Sequence, residues 1–139
     1  MLTPLRIATV QLTISPHPLH NAHNFLREAR YAAAHGADVV VGSEMMLCPY
    51  LLGDTYENDA YIHEVVAASE FIVAASHDID AVLIWGGIGH DADTTKVGED
   101  GRRRKYNAAF VAQGGTLVPN GAGLPFAIKT LLPNYRIFD

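Results

Sequence analysis

The sequence has one cysteine, Cys48, and no surplus of basic residues. A lone thiol cannot close an internal disulfide, so packing and hydrogen bonding must hold the fold, and the cytoplasm is the simplest compartment to expect. Ten lysines and arginines stand against fifteen aspartates and glutamates, a net charge of −5, and the only basic cluster is Arg102-Arg103-Arg104-Lys105. That footprint is too small to suggest a nucleic-acid partner. No apolar run approaches the roughly 18–20 residues that cross a bilayer. The opening MLTPLRIATVQL also lacks the charged start, long apolar core and cleavage site of a secretory leader. A soluble protein with no membrane partner is expected. Internal repeats and low-complexity tracts are missing too.

What remains is 139 residues, 49% of them hydrophobic, enough for one core and too few for two well-formed domains. Residues 5–12, LRIATVQL, are short, apolar and β-branched, and the following SPHP stops them, which predicts a buried strand and a loop. Over residues 21–34 the apolar positions Ala22, Phe25, Leu26, Ala29, Ala32 and Ala33 recur at three- and four-residue steps before His35-Gly36, which predicts an amphipathic helix. ADVVVGSE then reads as a second strand, too apolar for a wet face, completing a strand-helix-strand unit with parallel pairing.

A second helix is expected from near Asn58 to near His77, with Ile62, Val65, Val66, Ser69, Ile72 and Val73 along one side. AVLIWGGIG supplies a third strand, and HDADTTKVGEDGRRRK an exposed connection. YNAAFVAQGGTLVPN reads as a hairpin about its Gly-Gly turn. The chain then runs through GAGLPFAIK to TLLPNYRIFD and stops in an apolar segment, which reads as a cut end.

Two charges stand out. Glu44 follows the apolar run VVV, where an unpaired carboxylate would cost several kcal/mol, so it is either solvated on the rim or given a partner. Lys129 ends the apolar stretch LPFAIK and is either a surface lysine or a second site residue. Together, an acid and a lysine at the C-terminal ends of apolar strands in one α/β layer occupy the position where open sheets build their sites.

The order IATVQL, GADVVVGSE with Tyr50 six residues beyond the acid, YNAAFVAQGG, and a lysine followed by LLPNYRIFD resembles the nitrilase superfamily of carbon-nitrogen hydrolases. Within it, KTLLPNYRIFD is most similar to the glutamine-hydrolysing N-terminal domain of glutamine-dependent NAD synthetases. The resemblance implies an α/β fold, the N-terminal half of a four-layer α-β-β-α sandwich, so that residues 1–139 form a partial hydrolase domain. It implies Glu44 as general base, Lys129 as the group that steadies a tetrahedral oxyanion, and Tyr50 and Tyr135 as contacts to a glutamine substrate. It also implies ammonia delivery to a separate domain that uses ATP and magnesium to amidate deamido-NAD, with no cofactor or metal in this part. Strands left unpaired by the missing half lead us to expect homo-oligomerisation.

The sequence departs from the family's pattern in three places. The nucleophilic cysteine of the family lies some tens of residues beyond the lysine, past the last residue here. The phenylalanine-proline that usually precedes the acid is replaced by Gly42-Ser43, and MMLCPY replaces a glycine-containing turn. Cys48 is read as a packing residue. Gly-x-Gly in WGGIGHD reads as a tight turn, His17, His20 and His23 as a solvated loop and helix start, and GRRRK as a charged loop. Two other readings stand beside the main one: a relative acting on a carbamoyl or ω-amide substrate, and a short non-catalytic protein that keeps the half-fold as a binding module.

Overall fold

The computed structural model describes residues 3–91, 95, 97, 98 and 101–131. Ile7–Thr9 (β1), Pro18–Ala34 (α1), Val39–Val41 (β2), Asp59–Ala75 (α2) and Val82–His90 (β3) form two consecutive strand-helix-strand crossovers. Lys105–Gln113 (β4), Thr116–Leu117 (β5) and Ala127–Ile128 (β6) complete a six-stranded sheet. β1, β2 and β3 pair in parallel in that spatial order, and β4 joins β3 antiparallel along eight residue pairs, Leu83↔Ala112 to His90↔Lys105. β5 and β6 both pair with the remaining side of β4.

Both crossovers step the same way along the sheet, so both helices lie on one face, where they also pack on each other. The register explains which residues are buried. Val40, Leu83 and Ala112 share the helix-covered face and are fully buried, as are Phe25, Leu26, Val65 and Ile72 from the helices. Trp85 stacks on Phe110 with centroids 5.6 Å apart, and its indole N–H donates to Ser69 Oγ of α2 at 3.1 Å. On the opposite face Val39, Val41, Val82, Ile84 and Val111 are only half-buried, and Ile7 on the edge strand is 59% exposed. The layer observed is thus one helical layer on one sheet, whose second face is apolar and incompletely covered.

α1 begins three residues earlier than its periodicity indicates, because Pro18 has the fixed φ of a first-turn residue. Asn21 is therefore inside the helix and buried. All its hydrogen-bonding capacity is used: Nδ2 donates to Ser15 O at 2.7 Å and Leu47 O at 3.0 Å, while Oδ1 accepts from Ser15 N and Oγ. α2 starts where expected, with Asn58 Oδ1 accepting the Ala60 N–H. The hairpin between β4 and β5 turns on Gly114 and Gly115, both at positive φ, as a two-residue turn of this hand requires.

AVLIWGGIG forms the expected strand, and its Gly-x-Gly lies inside β3 and not in a tight turn. Close approach calls for glycine at position 89, since a Cβ there would stand 2.7 Å from the Phe126 ring. The basic cluster is partly tied into the fold. Lys105 Nζ donates to Tyr56 O at 2.7 Å and pairs with Glu57 at 2.9 Å, and Arg102 pairs with the same carboxylate at 3.1 Å.

Candidate functional site

Glu44 is placed by the path of the chain leaving β2. Gly42 N–H donates to Ile84 O at 2.8 Å and Gly86 N–H donates to Ser43 O at 3.2 Å, so residues 42–45 run tight against β3. A Cβ on Gly86 would lie 2.5 Å from Met45 N and 2.7 Å from both Glu44 Cα and Ser43 O. All three are backbone atoms that cannot swing aside, so the position demands glycine. Directly after the acid, Met45 takes a left-handed backbone with φ 50, and Met45 to Cys48 turn down into the core. The Asn21 bond to Leu47 O holds that turn from the start of α1.

Lys129 arrives from the other end of the chain. β6 is antiparallel to β4, which is antiparallel to β3, so β6 runs in the same direction as β2. Glu44 and Lys129 therefore both follow the C-terminal ends of like-directed strands. The Lys129 backbone N–H donates to Asn107 O at 2.9 Å, and its Nζ reaches Glu44 Oε1 at 2.6 Å across 85 residues of sequence. Asn107 Nδ2 donates to the same oxygen at 2.6 Å, and the Tyr50 hydroxyl also hydrogen-bonds the carboxylate. The structure brings together Glu44, Lys129 and Tyr50; Tyr135 lies outside the described residues.

The charges follow from this geometry. The Lys129 hydrogen bond is the largest influence on Glu44 and holds its carboxyl below the usual 4.5, with Asn107 and Tyr50 acting the same way against partial burial. Tyr50 is pushed up to about 12 by burial first and then by the Glu44 anion, so its hydroxyl stays protonated at neutral pH. The Glu44–Lys129 pair opens onto a cleft of about 370 Å³ walled by Val41, Ile84, Ala109 and Ile128. A larger hollow of about 620 Å³ runs along the β1 edge and contains none of these residues.

Cys48 is fully buried, and burial pushes its thiol up to about 11, so it is an inert core atom at neutral pH. Among the described residues no group of three His, Cys, Asp or Glu side chains could hold a metal ion, and no helix is long and apolar enough to cross a membrane.

Two residues of the site are not singled out by the sequence pattern. Asn107 lies within the apolar run of β4, and Gly86 within the run AVLIWGGIG that reads as a strand. The only available signal is a polar residue or glycine inside an otherwise apolar strand.

The mixed sheet with one helical layer is a nitrilase-like α/β fold, as superposition on solved structures shows. A glutamine-dependent NAD(+) synthetase from Cytophaga hutchinsonii superposes with a TM-score of 0.73 at 18% identity, over 94% of this chain and 20% of that one. The glutamine-dependent NAD+ synthetase from Acinetobacter baumannii gives 0.69 at 22% identity, over 97% and 22%. An amidase from Nesterenkonia sp., of the nitrilase superfamily, gives 0.71 at 21% identity, over 94% and 44%. The chain thus spans about a fifth of the synthetases and less than half of the amidase. No protein-family model matches the sequence, and no curated protein matches it.

Proposed function

We propose that the chain is the N-terminal part of a nitrilase-superfamily glutaminase domain of the kind found in glutamine-dependent NAD synthetases. The observation that carries this reading is the Glu44–Lys129 contact at 2.6 Å beside Tyr50. In this reading Glu44 accepts the proton of a cysteine thiol, the thiolate adds to the glutamine carbonyl, and the Lys129 ammonium stabilises the oxyanion that forms. As negative charge grows on the substrate oxygen, Lys129 shares its charge with it and Glu44 binds the proton more strongly. The carbon-nitrogen bond breaks as Glu44 returns the proton to the departing nitrogen, which leaves as ammonia. Water then hydrolyses the thioester to glutamate, with Glu44 again as base.

The buried Cys48 is unsuited to the nucleophile's part, which falls to a cysteine in further chain. Tyr50 and Tyr135 would hold glutamine. ATP and magnesium would belong to a separate synthetase domain. The residues described here do not suit them, because the Gly-x-Gly segment lies inside β3 and no metal-ligand cluster is present among the described residues. A homo-oligomer is part of the reading, supported by the open β1 edge and the half-buried outer face of the sheet, and the cytoplasm is its proposed compartment.

A second reading, a nitrilase-superfamily amidase acting on another small amide, is favoured by the equally good superposition of the Nesterenkonia amidase. The test compares the 139-residue chain with a longer form that contains a downstream cysteine. Glutamine hydrolysis should appear only in the longer form and fall at least about 100-fold in Glu44→Gln or Lys129→Met. Hydrolysis by the short chain that survives Cys48→Ala would overturn the account of the nucleophile. Preference for a simple aliphatic amide over glutamine would select the amidase reading.

A further inference from the structure

Asn107 has no part in the chemistry just described, yet it touches both charged residues of the site. Its backbone carbonyl accepts the Lys129 N–H at 2.9 Å, and its side-chain amide donates to Glu44 Oε1 at 2.6 Å. Lys129 Nζ donates to that same oxygen at 2.6 Å. A carboxylate oxygen has two lone-pair sites, and here both on Oε1 are used. We infer that Asn107 is a positioning residue which, with Lys129, anchors Oε1 of Glu44 and so fixes the orientation in which the carboxylate, also bonded by the Tyr50 hydroxyl, exchanges a proton. The inference rests on the reading of Glu44 as general base.

The chemical logic is specific to an amide at this position. An asparagine donates through nitrogen without adding charge, so it orients the carboxylate and leaves the site's charge balance to Lys129. Alanine would remove the donor, and aspartate would oppose a second anion to Glu44. Asn107 sits on the long β4 ladder opposite Ile88, so its backbone is held on both sides, by β3 and by Lys129. The anchor is therefore stiff, as a group that must aim a proton acceptor should be. Among the described residues, the titratable groups facing Glu44 are Lys129 from the end of β6 and Tyr50 from the loop after β2.

The test uses the 139-residue chain with glutamate carboxyl-13C and asparagine side-chain 15N labels. In the unmodified chain the Asn107 side-chain amide signal should move with the Glu44 titration, and in Glu44→Gln that pH dependence should vanish. Asn107→Ala should raise the Glu44 midpoint, since the lost hydrogen bond favours the charged carboxylate. It should also narrow the infrared separation between the two carboxylate stretches, which widens when one oxygen carries more hydrogen bonds than the other. An amide signal indifferent to the Glu44 titration would overturn the inference even if Asn107→Ala failed to fold, as would an unchanged midpoint in a folded Asn107→Ala. None of these readouts needs substrate or nucleophile. Failure of the general-base reading would show separately, as glutamine hydrolysis by the longer Glu44→Gln form at the unmodified rate.

Discussion

Glu44 rests on Gly86: a Cβ at that glycine would stand 2.7 Å from the Glu44 Cα, closer than real Cβ contacts allow. The acid's position is thus set by backbone against backbone, with the side-chain contacts of Lys129, Asn107 and Tyr50 adding direction.

Gly86→Ala should destabilise the chain by about 1–3 kcal/mol through overpacking, a fall of roughly 4–12 °C in Tm for a domain of this size. Thermal unfolding followed by the fluorescence of the single tryptophan, Trp85, reads this directly. Gly121→Ala is the control, because a Cβ there meets nothing within 4 Å and the change should stay within about 0.5 kcal/mol. Equal effects at the two glycines would contradict the close approach at Gly86.

The Glu44 carboxyl is lowered in the folded chain, so its contribution to stability is present above its ordinary 4.5 and is lost as pH falls through the lower, folded value. With side chains 43% and 36% exposed, the Glu44–Lys129 pair contributes no more than about 1 kcal/mol. The unmodified chain should melt up to about 4 °C above Glu44→Gln at pH 7, with the gap closing on acidification and shrinking in high salt. A gap that widened as the pH fell would show the sign to be wrong.

Cys48 should be unreactive while the chain is folded. A thiol moved from its ordinary 9.0 up to about 11 has about a hundredfold less thiolate near pH 8, and burial blocks access besides. Alkylation by iodoacetamide should be at least about a hundred times slower in buffer than in denaturing urea. Comparable rates in the two conditions would mean that the loop carrying Cys48 opens readily.

Much of this arrangement was legible in the residues. VVV before Glu44 and LPFAI before Lys129 announce strands by β-branching and length, and strand direction then carries both charges to one end of the sheet. Gly114-Gly115 announces its turn because only residues comfortable at positive φ fit there. Gly86 and Asn107 were not legible in the same way. The need for glycine at 86 arises from a chain segment that passes 41 to 43 residues earlier in sequence. The role of Asn107 arises from partners 63 and 22 residues away. Local periodicity has no term for such approaches, and reads both as ordinary strand residues. The start of α1 was misplaced for a different reason: Asn21 looks like a surface residue until its four bonds to Ser15 and Leu47 are seen.

Met45, the residue after the acid, is the only non-glycine among the described residues with a positive φ. A side chain there costs about 1 kcal/mol that glycine or asparagine would not. Its side chain is buried in the core, and removing it would cost about 2–5 kcal/mol, more than the strain it relieves. The strained turn that aims Glu44 is therefore kept by core packing, and a thermostability screen of this chain should leave this codon unchanged.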